Sequence, residues 1–144
     1  MSPRAAWRLD SLGFTDAADY AGGKMDWLAY GLPYEGTADL VGRHLEDVPT
    51  CRPEDPVAGV AALVERRGLC VVVLDDGVVY GVLDAHAAEH HPDLAAGDVA
   101  AFGPTTVRPS EERSALDERM GKRNVERMLV TDPAGRLLGV YAPG

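Results

Sequence analysis

The chain has 144 residues, of which 46% are hydrophobic and 26% charged, a composition typical of a globular protein rather than a disordered one. Its 14 basic and 23 acidic residues give a formal net charge of -9, which disfavours binding to nucleic acid or to an anionic membrane surface. Only 6% of the residues are aromatic, so the core is predicted to consist mainly of Ala, Val and Leu.

Neither a membrane span nor a secretory signal is expected. Charged residues interrupt every apolar stretch before it reaches the roughly 20 residues that a spanning helix needs. The first ten residues lack the apolar region of a signal peptide. Two cysteines, Cys51 and Cys70, are too few for a disulfide framework and are expected to be buried strand residues. A cytoplasmic, reducing location is therefore predicted.

The first third of the chain is predicted to be mainly helical. Apolar residues at helical spacing indicate a helix over residues 5–12, and Gly13 is placed to end it. A short strand over residues 17–20 and a helix over 24–30 are expected to follow. A connecting helix is predicted over 39–46, just before the remainder of the chain.

The remaining two thirds contain an internal repeat, in which residues 52–82 match residues 108–140. Each copy reads as a strand, a helix that follows a proline and acidic residues, and two strands joined by an Asp- and Gly-containing turn. The predicted elements are a strand at 50–52, a helix at 56–67 and strands at 69–74 and 78–83 in the first copy, and a strand at 105–108, a helix at 111–122 and strands at 125–130 and 136–141 in the second.

The repeat predicts how the two copies pack. Each copy has one apolar sheet face that it cannot bury alone, and two copies bury both faces by stacking sheet against sheet in an α+β fold. Gly68 and Asn124 are predicted to end the two long helices, because both residue types tolerate the left-handed conformation found there. Only the first copy is expected to continue into a further helix, over residues 84–90.

The order of these elements, together with the hairpin segments 71–77 and 129–140, resembles the CBS domain. The resemblance implies a tandem pair over residues 37–144, with repeats at about 41–91 and 94–144. Such pairs commonly form homodimers, sense adenosine-containing nucleotides in clefts between the repeats and report to a protein partner. It therefore implies a non-catalytic regulatory module, with AMP, ADP, ATP or S-adenosylmethionine as the candidate ligand.

The resemblance also implies where a ligand would bind. The return strand of a CBS repeat usually ends in Gly-x-x-Thr/Ser-x-x-Asp, and its hydroxyl and carboxylate bind the nucleotide. In the first copy this pattern begins at Gly81, with Asp84 at the hydroxyl position and Ala87 at the position of the ribose-binding carboxylate. The second copy has Ala142 at the hydroxyl position. The candidate site therefore lacks both expected ribose carboxylates.

Three further residues complete the candidate site. Arg127, near the start of a hairpin strand, lies where family members can place a phosphate-binding arginine, and Val71 is its predicted counterpart in the first copy. Thr50 and Thr106 open the first strand of each copy, where residues of the family often face the ligand. The alternative for all three is an ordinary strand residue with no ligand role.

Residues 1–36 resemble the C-terminal third of a rhodanese domain. In that family a catalytic loop with a nucleophilic cysteine directly precedes this part, whereas here the chain begins with Met1-Ser2-Pro3 at the point where that loop would just have ended. The segment is expected to be a non-catalytic remnant or the end of a longer sulfurtransferase. The residues that carry the resemblance are Ala5, Ala6, Leu9, Gly13, Phe14, Gly22, Gly23, Trp27, Gly31 and Pro33.

Two functions remain open beside the sensing module. One is a structural or protein-interaction dimer whose cleft is filled by the side chain of Asp84, Tyr80 or Tyr141. The other is a sulfurtransferase fragment fused to a CBS pair. His86 and His90 lie four residues apart on a predicted helix and could share a metal ion, but a solvated helix end is the favoured interpretation because no further His or Cys pair completes the site. No metal and no catalytic residue is predicted.

Overall fold

A computed structural model describes residues 3–17, 20 and 22–144. Residues 18 and 19, at the centre of the strand predicted over residues 17–20, lie outside the described residues. Within the described residues the helices are α1 (Pro3–Ser11), α2 (Gly23–Ala29), α3 (Val57–Arg67), α4 (Ala85–His90), α5 (Ala96–Val99) and α6 (Arg113–Arg123), with a turn of 3-10 helix at Val41–Arg43.

The strands form two sheets. They are β1 (Thr50–Cys51), β2 (Leu69–Val73), β3 (Val79–Asp84), β4 (Ala101–Phe102), β5 (Thr106–Val107), β6 (Met128–Thr131) and β7 (Leu137–Tyr141). The first sheet has the order β1-β2-β3-β4 and the second the order β5-β6-β7. Each begins with two parallel strands connected by a helix and continues with an antiparallel hairpin. The predicted strand–helix–hairpin repeat is therefore confirmed.

Both long helices end as the sequence predicts. Helix α3 follows Pro56 and ends at Gly68, whose φ of 80° is left-handed. Helix α6 ends at Asn124 with a φ of 53°, also left-handed. Asn is tolerated there because its short polar side chain costs less in this conformation than other side chains. The local rules for helix ends therefore hold in both repeats.

The start of the second hairpin corrects the sequence alignment of the repeats. Strand β6 begins at Met128 rather than at residue 125, since four residues separate it from the end of α6, whereas Gly68 alone separates β2 from the end of α3. Leu69 lies opposite Asp84, and the equivalent register places Arg127 just before β6, next to Met128. The counterpart of Arg127 in the first repeat is therefore Leu69, and the predicted counterpart Val71 is wrong.

The connecting helix predicted over residues 39–46 is also wrong. Apart from its 3-10 turn this segment is not helical, because its backbone bonds to the second repeat instead of to itself. The amide of Val41 donates to Glu111 O at 2.9 Å, and the amide of Gly42 donates to Pro109 O at 3.0 Å. The segment that precedes the first repeat thus completes the second repeat.

The segment before the second repeat, residues 94–102, does the same for the first. The amides of Ala96 and Gly97 donate to Asp55 O and Pro53 O, both at 2.8 Å. Farther along this segment, β4 pairs with β3 at the edge of the first sheet. Each repeat is therefore covered by the segment that leads into the other one.

Strand alternation divides the core into layers. Val71 from one sheet packs with Leu129 and Val140 from the other, which confirms the predicted stacking of sheet against sheet. On the outer faces, Val72 packs with residues of α3, α4 and α5, and Val130 packs with residues of α6 and the 3-10 turn. The interface between the repeats is therefore a single apolar layer.

Candidate functional site

A cleft of about 290 Å³ opens between the two repeats. Its volume is near the lower end of the roughly 300–1,000 Å³ that is usual for ligand pockets. Leu69 and Val82 line it from the first repeat, and Leu129 and Val140 line it from the second. A ligand in this cleft would contact both repeats at once and would present an apolar face to the inter-sheet layer.

The polar groups of the cleft come from the second repeat. Arg123 is the last residue of α6, Arg127 precedes β6, and Thr105 precedes β5. Among the residues that line the cleft, none carries a carboxylate. Two guanidinium groups and a hydroxyl beside apolar surface suit a small ligand with an anionic group, since Arg binds phosphate and carboxylate oxygens in a fixed geometry.

Arg127 reaches from the second repeat to the first. Its Nη1 atom donates to the backbone oxygen of Arg67, the last residue of α3. A Cβ on Gly68, the next residue, would lie 3.2 Å from the same nitrogen. Arg127 is the one residue of the predicted site that lines the cleft, and it does so while bound to the end of a helix.

Asp84 is a helix cap. It precedes α4, and its Oδ1 accepts a hydrogen bond from the Ala87 amide at 2.8 Å. Its position opposite Leu69 in the hairpin puts it close to the cleft, although it is not part of the lining. The position that the resemblance assigns to a ligand-binding hydroxyl is therefore occupied here by a carboxylate that caps the start of a helix.

Gly81 allows two segments to approach closely. A Cβ at this position would lie 2.9 Å from Ala101 O and 3.0 Å from Ala100 Cβ, on the segment that includes β4. The equivalent Gly139 has a φ of 154° and faces Glu46 O in the same way, at 2.9 Å. Gly81 lies on β3, which is crossed by the segment 94–102, and Gly139 lies on β7, which is crossed by the segment 39–46; we call these two the crossing segments. Each glycine is needed because a side chain would collide with the crossing segment. Gly81 does not line the cleft.

The two predicted threonines lie apart from the cleft lining. Thr50 is exposed and pairs with Val71, and Thr106 pairs with Leu129. Thr106 lines a different pocket of about 400 Å³ on the second repeat. Its neighbour Thr105 lines both this pocket and the inter-repeat cleft. A ligand role for Thr50 and Thr106 stays a prediction.

Sequence reasoning missed Arg123 and Thr105. A basic residue in the last turn of a helix usually faces solvent and interacts with the helix dipole, so Arg123 carried no distinguishing signal. The fold brings this helix end next to Leu69, which is 54 residues earlier in the chain. Only the packing of the two repeats reveals this proximity.

The two cysteines belong to the core. Both are buried in the apolar cluster between the first sheet and its helices. A hydrogen bond with Cys51 and burial raise the pKa of the Cys70 thiol. A thiol that stays protonated is a poor nucleophile, so Cys70 has the properties of a small apolar residue.

His86 and His90 are stacked on α4 with ring centroids 4.1 Å apart. The Nδ1 atom of His90 lies 2.9 Å from His86 O, so this nitrogen is engaged with the helix backbone. Among the described residues, no group of three or more His, Cys, Asp or Glu side chains is placed to hold a metal ion. Over the same residues, no helix has both the length and the apolar character to cross a membrane.

Residues 40–87 match the family model of the CBS domain. Solved structures extend the likeness to the second repeat. The cytosolic domain of the Mg²⁺ channel MgtE in complex with ATP is similar with a TM-score of 0.65 and 19% identity, over 72% of this chain and 46% of that one. The chain has the fold of a CBS domain pair. No curated protein matches it.

Two other CBS structures are of similar size to this pair. A CBS domain protein from Pyrobaculum aerophilum complexed with AMP shares 21% identity at a TM-score of 0.60, over 72% of this chain and 87% of that one. A CBS domain pair in complex with 5′-methylthioadenosine and S-adenosyl-L-methionine shares 16% identity at a TM-score of 0.61, over 72% and 92%. At these identities the comparison establishes the fold.

Proposed function

We propose that this CBS pair is a non-catalytic sensing module that binds an adenosine nucleotide in the cleft between its repeats. The observation that carries the proposal is the pair of guanidinium groups, Arg123 and Arg127, beside an apolar cleft to which both repeats contribute. Relatives with this fold have been solved with ATP and with AMP, which supports the same class of ligand here.

The lining of the cleft predicts which nucleotides bind best. Ala87 offers no carboxylate to a ribose, so the phosphate must supply most of the polar contacts. AMP, ADP and ATP carry phosphate, whereas S-adenosylmethionine carries a cationic sulfonium that two arginines would repel. We therefore expect the three phosphate-bearing nucleotides to bind more tightly than S-adenosylmethionine, and the affinity to fall as salt concentration rises.

Isothermal titration calorimetry with the four ligands tests this function. Arg127→Met should weaken AMP binding by about tenfold or more, because a hydrogen bond to a charged group contributes roughly 1.5–3 kcal/mol. Arg66→Met is the matched control, since Arg66 is exposed on α3 and does not line the cleft. Absence of heat with all four ligands, on folded protein, would contradict the proposed function.

The second candidate is a structural or protein-interaction module without a ligand. It is favoured by the polar groups of Asp84 and Arg127, which are already engaged with helix ends. Against it, neither tyrosine expected to fill the cleft lines it. Tyr80 packs edge-to-face against Phe102 with ring centroids 4.9 Å apart, and Tyr141 is buried in the core of the second repeat. Electron density from crystals soaked in AMP would separate the two candidates.

A homodimer in the cytoplasm that reports to a protein partner remains the expected assembly, and it is a proposal carried by the resemblance to the family. Sedimentation velocity over a tenfold range of protein concentration would show a dimer or a monomer. The partner would have to be found by its preference for one ligand state of the module.

The rhodanese likeness of residues 1–36 stays a hypothesis. Two residues that carry it are in contact, since Trp27 Nε1 donates to Pro33 O at 2.8 Å. The ring of Tyr20 also packs edge-on against Trp27, at 5.4 Å between centroids. The coding sequence upstream of Met1 provides the test: an in-frame loop with a cysteine would support a sulfurtransferase, and a stop codon would contradict it.

A further inference from the structure

We propose that Arg127 is a bridge that couples an anion bound in the cleft to the C-terminal end of helix α3. The inference rests on the proposed function, because it needs an anionic ligand beside Arg127. It goes further, since it assigns to one side chain the route by which occupancy of the cleft reaches the helical layer of the first repeat.

The guanidinium of Arg127 already spans the two repeats. Its Nη1 atom donates to Arg67 O at the end of α3, and it lies beside Gly68, which terminates that helix. The last carbonyl groups of an α-helix lack partners within the helix and form the negative end of its dipole. Arg127 therefore caps α3 from the opposite repeat.

The same side chain has donors to spare for a ligand. A guanidinium carries five N–H groups, and the bond to Arg67 O uses one of them. An anion held by the other donors would fix the orientation of the planar group and so keep Nη1 on the carbonyl oxygen. Binding of the anion and capping of the helix then favour each other, and the coupling is equal in both directions.

The bridge exists on one side of the molecule. Leu69 stands in the first repeat where Arg127 stands in the second, and an apolar side chain cannot cap the end of α6. Helix α3 packs against α4 in the helical layer of the first repeat. Through this bridge, occupancy of the cleft reaches the end of α3 in the first repeat, while the end of α6 has no equivalent cap from the opposite repeat, which makes the response of this pseudo-symmetric pair asymmetric.

Amide hydrogen exchange at residues 65–68 of the full chain, followed by NMR, tests the bridge. The Gly68 amide, which donates to Val64 O at 2.7 Å, reports on the last turn of α3. Saturating AMP or pyrophosphate should slow exchange in this turn by about threefold to tenfold, the effect expected when one hydrogen bond is strengthened. Calorimetry on the same samples measures binding separately.

Arg127→Lys is the matched variant. It keeps the positive charge and thus part of the affinity for the probe, but a single ammonium group cannot hold a carbonyl and an anion in the fixed fork of a guanidinium. We expect this variant to bind the probe without the slower exchange in α3. Arg123→Met should bind more weakly, yet show the full slowing at saturation, because its bridge is intact.

The outcomes separate the bridge from the proposed function. Equal slowing in Arg127→Lys and in the unmodified chain would mean that the ligand protects α3 directly, and it would overturn the bridge, as would binding with no slowing at all. No heat with either probe would overturn the coupling, and no heat with any of the four candidate ligands would overturn the proposed function as well. Unchanged exchange in Arg127→Met without any probe would overturn the helix cap by itself.

Discussion

At the scale of single residues, two helical glycines differ in whether a neighbouring residue leaves space for a side chain. A Cβ on Gly97 would lie 2.9 Å from Pro53 Cβ and 3.1 Å from Pro53 O, whereas a Cβ on Gly121 would meet nothing within 4 Å. Gly97→Ala should therefore lower the free energy of unfolding by about 1–3 kcal/mol through overpacking. Gly121→Ala, inside the exposed face of α6, should raise it by about 0.5–1 kcal/mol.

Urea unfolding followed by circular dichroism measures both changes. The pair shares one chemical substitution in two helices, so a difference in sign isolates the contact with Pro53. If Gly97→Ala were as stable as the unmodified chain, the close approach of the crossing segment would not contribute to stability.

The same residues show where sequence reasoning succeeds and where it stops. Gly68 and Asn124 were predictable as helix ends, because the left-handed conformation is required within a few residues of chain. Gly42 and Gly97 carry no such local signal. Each faces a proline of the other repeat, so their function depends on contacts between residues more than 40 positions apart.

At the scale of elements, Arg52 and Arg108 are equivalent residues that follow the first strand of each repeat, and each binds the hairpin turn of its own repeat in a different way. Arg108 Nη1 donates to Thr131 Oγ1 at 2.5 Å and to the backbone oxygen of Asp132, and both partners are buried. Arg52 pairs with Asp75, and both side chains are largely exposed. The two repeats therefore offer a matched test of a buried and an exposed contact.

Arg108→Met should cost about 1–3 kcal/mol of unfolding free energy, because it leaves buried acceptors without a partner. Arg52→Met should cost at most about 1 kcal/mol, as expected for an exposed ion pair. Chemical denaturation of the two variants side by side gives the comparison. Equal losses would show that the buried acceptors of the second hairpin find water or other donors once the arginine is removed.

Element boundaries also decided how well the candidate site could be predicted. The repeat, the two hairpins and their stacking followed from apolar spacing and turn residues. The start of β6 did not, because Val125 and Met128 are equally suited to a strand and only the pairing with β7 selects the later start. That shift moves Arg127 out of the strand and opposite α3, so its bond to Arg67 O was not foreseeable.

At the scale of the whole molecule, the crossing segments make the two repeats interdependent. Ala96 and Ala100, which precede the second repeat, are buried in the core of the first, and Val41, which precedes the first, is buried in the core of the second. A cut between residues 93 and 94 therefore removes part of the core of the first repeat. It also exposes the apolar layer between the sheets to water.

We predict that residues 37–144 fold without the N-terminal extension and unfold in one cooperative transition, while residues 37–93 alone remain largely unfolded. Residues 47–102 are the informative control. This fragment lacks the segment before residue 47, which packs on the second repeat, and includes residues 94–102, which cover the first repeat. The fragment 47–102 should show a stronger helical signal in circular dichroism than the fragment 37–93. It should still self-associate, because the sheet face that normally packs on the second repeat is exposed. A stable, cooperative monomer of 37–93 would contradict this prediction. It would show that the first repeat folds without Ala96 and Ala100, and that the loss of these two core side chains leaves no cavity that destabilises it.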